Sequence, residues 1–132
     1  MARNDPALEL LGITVESSDE TTSAYLTVQA QMLNSHGVCH GGVLFLLADA
    51  AMDYASNQAL YSSAEVEASF AANAEIDYFM PALLNDELVC TAKISHEWGR
   101  AKMLDATIVR VSTGDTIAVF RGRTRSPRPR KV

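Results

Sequence analysis

The chain reads as an α+β domain in which an antiparallel sheet of about six strands wraps one central apolar helix. Three observations predict it. Between residues 41 and 60 the apolar side chains, among them Val43, Leu44, Phe45, Leu47, Ala51 and Met52, cover nearly every helical direction, and a helix apolar all round is a buried one. From Val66 to Tyr78 apolar and polar residues alternate strictly, which is the signature of a half-buried strand. The remaining strand candidates are joined by links mostly too short for parallel crossovers, so the pairing is antiparallel.

Taken in order, Asp5-Pro6 reads as an N-cap followed by proline at the first helical position, and the apolar run Ala7 to Leu11 ends at Gly12. Ile13 to Glu16 and Ala24 to Gln29 flank a polar turn and form a hairpin. The buried helix follows. Its few polar residues, Asp49, Asp53, Ser56 and Asn57, share one angular sector at about 100° per residue, a stripe expected to face solvent. The strand 66–78 places Val66, Ala68, Phe70, Ala72, Ala74, Ile76 and Tyr78 on one side, with Ser69 and Asn73 on the other, and stops at Pro81. Leu88 to Ile94, Lys102 to Val111 and Thr116 to Arg123 complete the sheet, separated by turn residues at Trp98-Gly99 and Thr113-Gly114-Asp115. One domain is expected over 1–125, with a basic, disordered tail at 126–132.

Charge narrows the function. Residues 1–120 hold all 16 acidic residues and five Lys or Arg, a net of −11, whereas residues 121–132 carry six basic residues. A body that acidic argues against nucleic acid as the main partner. Two cysteines, Cys39 and Cys90, are too few for a disulfide scaffold, and no N-terminal apolar signal run or bilayer-length apolar stretch is present. A cytoplasmic protein with no membrane partner is therefore expected.

The chemistry concentrates in Asn34-Ser35-His36-Gly37-Val38-Cys39-His40-Gly41-Gly42, which runs straight into the apolar helix. Glycines before a helix allow close approach to the backbone, and the free N–H groups of the first turn meet that group with the positive end of the helix dipole. Such a terminus suits a developing oxyanion; a glycine-rich turn that merely starts a helix is the plainer alternative. Two turns on, Asp49 sits among apolar helix positions, where an unpaired carboxylate is expensive unless it meets solvent or has a task. Desolvation raises its pKa toward the range of a general base. Asp53 is the rival. His36, Cys39 and His40 lack a clear fourth metal ligand, so no metal is expected, and no phosphate loop or dinucleotide fingerprint occurs.

Together Asn34, His36-Gly37, His40-Gly41-Gly42, Phe45, Leu47-Ala48-Asp49, Ala55 and Asn57 resemble the motif of the PaaI-type (phenylacetate-degradation) hot-dog thioesterases. The resemblance runs from about Leu10 to Arg123. It implies a hot-dog fold and an acyl-CoA thioesterase that needs no cofactor and cleaves aryl- or acyl-CoA, with phenylacetyl-CoA-like substrates favoured. It also implies a homodimer, usually paired into a homotetramer. By position Asp49 is general base or nucleophile, the Gly41 N–H polarises the carbonyl with help from His40, and Asn34 positions the reacting group. Gly42, Phe45, Ser69, Ala71, Asn73, Arg100 and Arg121 are the substrate-binding candidates; Arg100, Lys102, Arg121 and Arg123 are candidates for the CoA phosphates, with solvated strand-end charges as the plainer alternative. Two positions depart from the pattern. Met80 stands where relatives often carry a basic residue before the proline, and Ala71 where some carry a water-orienting serine, for which Ser69 and Asn73 are substitutes. The rival functions are a non-catalytic acyl-CoA sensor and a hot-dog 3-hydroxyacyl-thioester dehydratase. Since Gly41 and Asp49 stand eight residues apart on one helix, about 12 Å along its axis, the two groups are expected to meet across a dimer, with each active site shared.

Overall fold

The computed structural model describes residues 5–18, 21–58 and 68–127. A short helix α1 (Pro6–Leu11) opens the chain, with Asp5 in extended conformation before it and Gly12 closing it at φ 71°. The hairpin β1 (Thr14–Ser17) and β2 (Thr22–Thr27) follows, then a single 3-10 turn at Ala30–Met32. Next come the long helix α2 (Gly41–Ser56) and four strands, β3 (Phe70–Tyr78), β4 (Glu87–Trp98), β5 (Ala101–Arg110) and β6 (Thr116–Arg125). They form one six-stranded sheet in the order β1-β2-β4-β5-β6-β3, and every neighbouring pair is antiparallel. This is the hot-dog architecture.

The core lies between α2 and one face of the sheet. Leu44, Leu47, Ala48, Ala51 and Met52 of the helix are buried together with Leu26, Leu88, Cys90, Leu104, Ile108 and Phe120 of the strands. Each large apolar side chain so removed from water contributes about 1.5–3 kcal/mol before the entropy of ordering is subtracted. Helix and sheet meet closely at Gly122, where a Cβ would collide with Met52 Sδ. A larger residue there would force the Met52 side chain to move.

Three expectations need correction. The polar stripe of α2 does not all face solvent, because Ser56 and Asn57 are buried. Ser56 Oγ hydrogen-bonds Ser69 Oγ and Thr124 Oγ1, while Asn57 Oδ1 accepts the Ser69 N–H at 2.7 Å. The expected strand from Val66 begins only at Phe70, residues 59–67 lying outside the described set. Its strict alternation also breaks at a bulge between Ala71 and Asn73. An extra residue there reverses which face the following side chains take, so Ala71 pairs with inward Thr124 but Asn73 with outward Arg123. Ser69 and Asn73 therefore do not share a face. Finally, β4 runs on past Ile94 to Trp98, with a bulge between Ile94 and His96 that pairs His96 with Met103 and Trp98 with Ala101.

β6 ends at Arg125, and the tail from Arg128 lies outside the described residues.

Candidate active site

The loop before α2 is organised by Asn34. Its side-chain oxygen accepts the N–H groups of His36 at 2.9 Å and Val38 at 3.3 Å, and its backbone bonds Val38 and Gly37. Asn34 thus shapes the turn that delivers Gly41. His40 is the N-cap of α2, and its carbonyl takes the N–H groups of Val43 and Leu44. Among the described residues the N–H groups of Gly41 and Gly42 have no hydrogen-bond acceptor, as expected for the first turn of a helix. They are donors aimed outward at the positive end of the α2 dipole.

One functional neighbour was not foreseen. The Tyr78 hydroxyl donates to the Gly41 carbonyl at 2.8 Å, and a Cβ on Gly41 would come within 3.0 Å of the Tyr78 ring carbon and oxygen. Tyr78 therefore pins the first turn of α2 against the end of β3. Its position at the last alternating residue before Pro81 was the available signal. A cavity of about 320 Å³ opens here, lined by Gly41, Leu44, Tyr78, Phe79, Met80 and Pro81 among others. Beside it the Arg110 guanidinium reaches Met80 Sδ at 3.8 Å and the Pro81 carbonyl at 2.7 Å, with its charge paired by Asp86 and Asp115.

Asp49 lies half-buried on α2 with no hydrogen-bond partner among the described residues. Burial in low-dielectric surroundings pushes its pKa up, and the negative charges of Asp53 and Asp5 push it further. Asp53 is engaged differently, accepting the Asn57 amide at 2.9 Å. Of the two carboxylates, Asp49 is the one left chemically available.

The other candidates separate. Phe45 packs edge-on against Phe120 with ring centroids 5.3 Å apart, half-buried. Ala71 and Asn73 are exposed on β3. Ser69 is buried and held by Ser56 and Asn57. Arg121 is held by Asp105 on the face of the sheet away from α2, Nε to Oδ1 at 2.7 Å, and Lys102 donates to the Ser56 carbonyl at the C-terminus of α2. Arg100 bonds the Ser126 carbonyl. Both thiols are buried and pushed up, Cys39 to about 11 and Cys90 to about 12, so neither is poised as a thiolate.

With this geometry in place, the thioesterase superfamily matches residues 36–117, the span that contains Gly41, Asp49 and Tyr78. The chain belongs to the thioesterase superfamily. Its chemistry is thioester hydrolysis. It is 38% identical to the acyl-coenzyme A thioesterase PaaI of Escherichia coli over 94% of this chain and 84% of that protein. The solved structure of E. coli PaaI, from the phenylacetic acid degradation operon, superposes with a TM-score of 0.84 over 95% of this chain and 86% of that one. A substituted form of the phenylacetic acid degradation protein PaaI from Thermus thermophilus, 27% identical, gives 0.83 over 93% and 100% of the two chains. No helix among the described residues is long and apolar enough to cross a membrane.

Proposed function

We propose that this thioesterase hydrolyses acyl-CoA, with a preference for phenylacetyl-CoA-like acyl groups, at a site that two copies of the chain build together. The observation that carries the reading is that, among the described residues, the Gly41 N–H has no acceptor and the half-buried Asp49 carboxylate on the same helix has no hydrogen-bond partner. The thioester carbonyl oxygen accepts the Gly41 N–H, which stabilises the charge that develops there. Asp49 then acts on the carbonyl carbon, either by drawing a proton from the attacking water or by attacking itself and being released by water. Either route breaks the C–S bond and yields free acid and CoA thiol.

Two features support sharing. At about 12 Å along the axis, donor and carboxylate of one chain are too far apart to grip one thioester. In addition β3 is an edge strand, bonded among the described residues only to β6, and its residues are largely exposed on both faces, Phe70 at 65% and Tyr78 at 50%. A long apolar edge with unpaired backbone groups invites pairing, and a second copy of β3 is the occupant that also brings the partner's helix alongside.

Asp49→Asn keeps size and removes the base. We expect kcat on a panel of acyl-CoAs, read with a thiol reagent, to fall at least ~10²-fold with KM little changed. Turnover near the wild-type rate would refute the assignment and turn attention to Asp53.

A further inference from the structure

We infer that Tyr78 is a positioning residue of the thioester site: its hydroxyl holds and polarises the peptide unit between Gly41 and Gly42, so that the Gly42 N–H joins the Gly41 N–H on the substrate's carbonyl oxygen. This rests on the acyl-CoA reading above and deepens its oxyanion site from one donor to two. Helix α2 opens with two free N–H groups among the described residues, because the third, that of Val43, is already spent on the His40 carbonyl at 3.0 Å. Free donors on successive peptides at a helix terminus reach a single anion together. A Cβ on Gly42 would meet nothing within 4 Å, so the backbone there is open to approach.

Two consecutive glycines have the freest backbone a chain can offer, and donors stabilise a developing charge only when they are already in place. Tyr78 supplies the missing constraint. Its hydroxyl donates to the Gly41 carbonyl at 2.8 Å, and that carbonyl shares one planar, conjugated peptide unit with the Gly42 N–H. Fixing the oxygen therefore fixes the N–H, and drawing electron density toward the oxygen makes the N–H a stronger donor. The tyrosine is itself anchored from the sheet. Tyr78 pairs in register with Ala118, the Phe79 N–H bonds the Ile117 carbonyl at 2.8 Å, and Arg110 holds the Pro81 carbonyl at 2.7 Å. A second tie joins the same two segments, since the Cys39 N–H bonds the Ala82 carbonyl at 2.9 Å. The Tyr78 ring closes to 3.0 Å from where a Cβ on residue 41 would stand, so glycine is what admits the bond in this geometry. Burial pushes the phenol above its ordinary value, and it stays a protonated donor at neutral pH. Because the ring is exposed, the hydroxyl adds little to the core, and its effect falls on the site.

Tyr78→Phe keeps the exposed ring and removes only the hydroxyl, so the variant folds, which thermal melting checks. The inference expects kcat for acyl-CoA hydrolysis to fall about tenfold, less than the loss of a whole donor would cost, with KM unchanged. A spectroscopic reading separates this from packing. In an Asp49→Asn background, where the bound thioester persists, the infrared difference spectrum of an acyl-CoA with an isotope-labelled carbonyl reports the donors directly. The carbonyl stretch should lie below its value in solution, and adding Tyr78→Phe should move it back toward that value. A kcat that stays at the wild-type level, a loss confined to KM, or a stretch that does not move overturns the inference. An active wild type beside an unaffected Tyr78→Phe leaves the acyl-CoA reading standing and removes only the role of Tyr78. A wild type that turns over no acyl-CoA removes both.

Discussion

Asp49 is held in a condition that a carboxylate does not choose. Burial and the two neighbouring negative charges raise its pKa, and a raised pKa has opposite signs for stability and for catalysis. The unfolded chain ionises at the ordinary value, near ~3.9, so above the folded pKa the native state carries the full penalty of a charged, desolvated group. That penalty is relieved as pH falls through the folded pKa toward the ordinary one. Asp49→Asn should therefore melt higher than the wild type at neutral pH while losing turnover, a trade typical of functional sites. The acidic limb of kcat/KM should stand above the ordinary aspartate range. Because Asp53 contributes to the upward shift, Asp53→Asn should move that limb to lower pH, as a pH-rate profile of the two proteins will show. A limb that stays put or moves up would mean that the titrating group is not Asp49.

The elements differ in how far the sequence exposes them. The all-round apolar character of α2 and the alternation in β4, β5 and β6 were legible because each follows from period and burial alone. The polar stripe was misjudged because its partners are remote: Ser56 meets Ser69 and Thr124, 13 and 68 residues away, and no local pattern reports such pairings. The β3 bulge was equally hidden, since no glycine or proline marks Ala71-Ala72-Asn73. This buried hydroxyl cluster ties the end of α2 to β6. Ser56→Ala should cost about 1–3 kcal/mol by stranding the Thr124 hydroxyl, measured by urea unfolding. Ser56→Ala/Thr124→Val should be less destabilised than the sum of the single changes, because no orphaned donor remains. Additive losses would mean that the hydroxyl pairing contributes little.

Across the whole molecule, the motif from Asn34 to Asn57 announced the family, and the structure adds what no motif could carry. Asn34 is seen to shape the loop that presents Gly41, and Tyr78 fixes the first turn of α2. In the proposed arrangement one chain alone does not hold a complete active site. Gly41 and Asp49 are separated along a rigid helix, and the strand edge beside them is bare. Gly41→Val meets the exposed Tyr78 ring rather than the core, so the variant should fold with Tyr78 displaced and the donor blocked. Asp49→Asn should fold and lack only the carboxylate. Mixing these two inactive proteins under conditions that exchange subunits, then assaying acyl-CoA hydrolysis, asks directly whether the site is shared. In each mixed dimer one site unites an intact Gly41 with an intact Asp49, so activity should return, approaching about one quarter of the wild-type value per subunit when pairing is random. Two inactive parents that remain inactive after mixed dimers have been verified would place donor and carboxylate in a single chain.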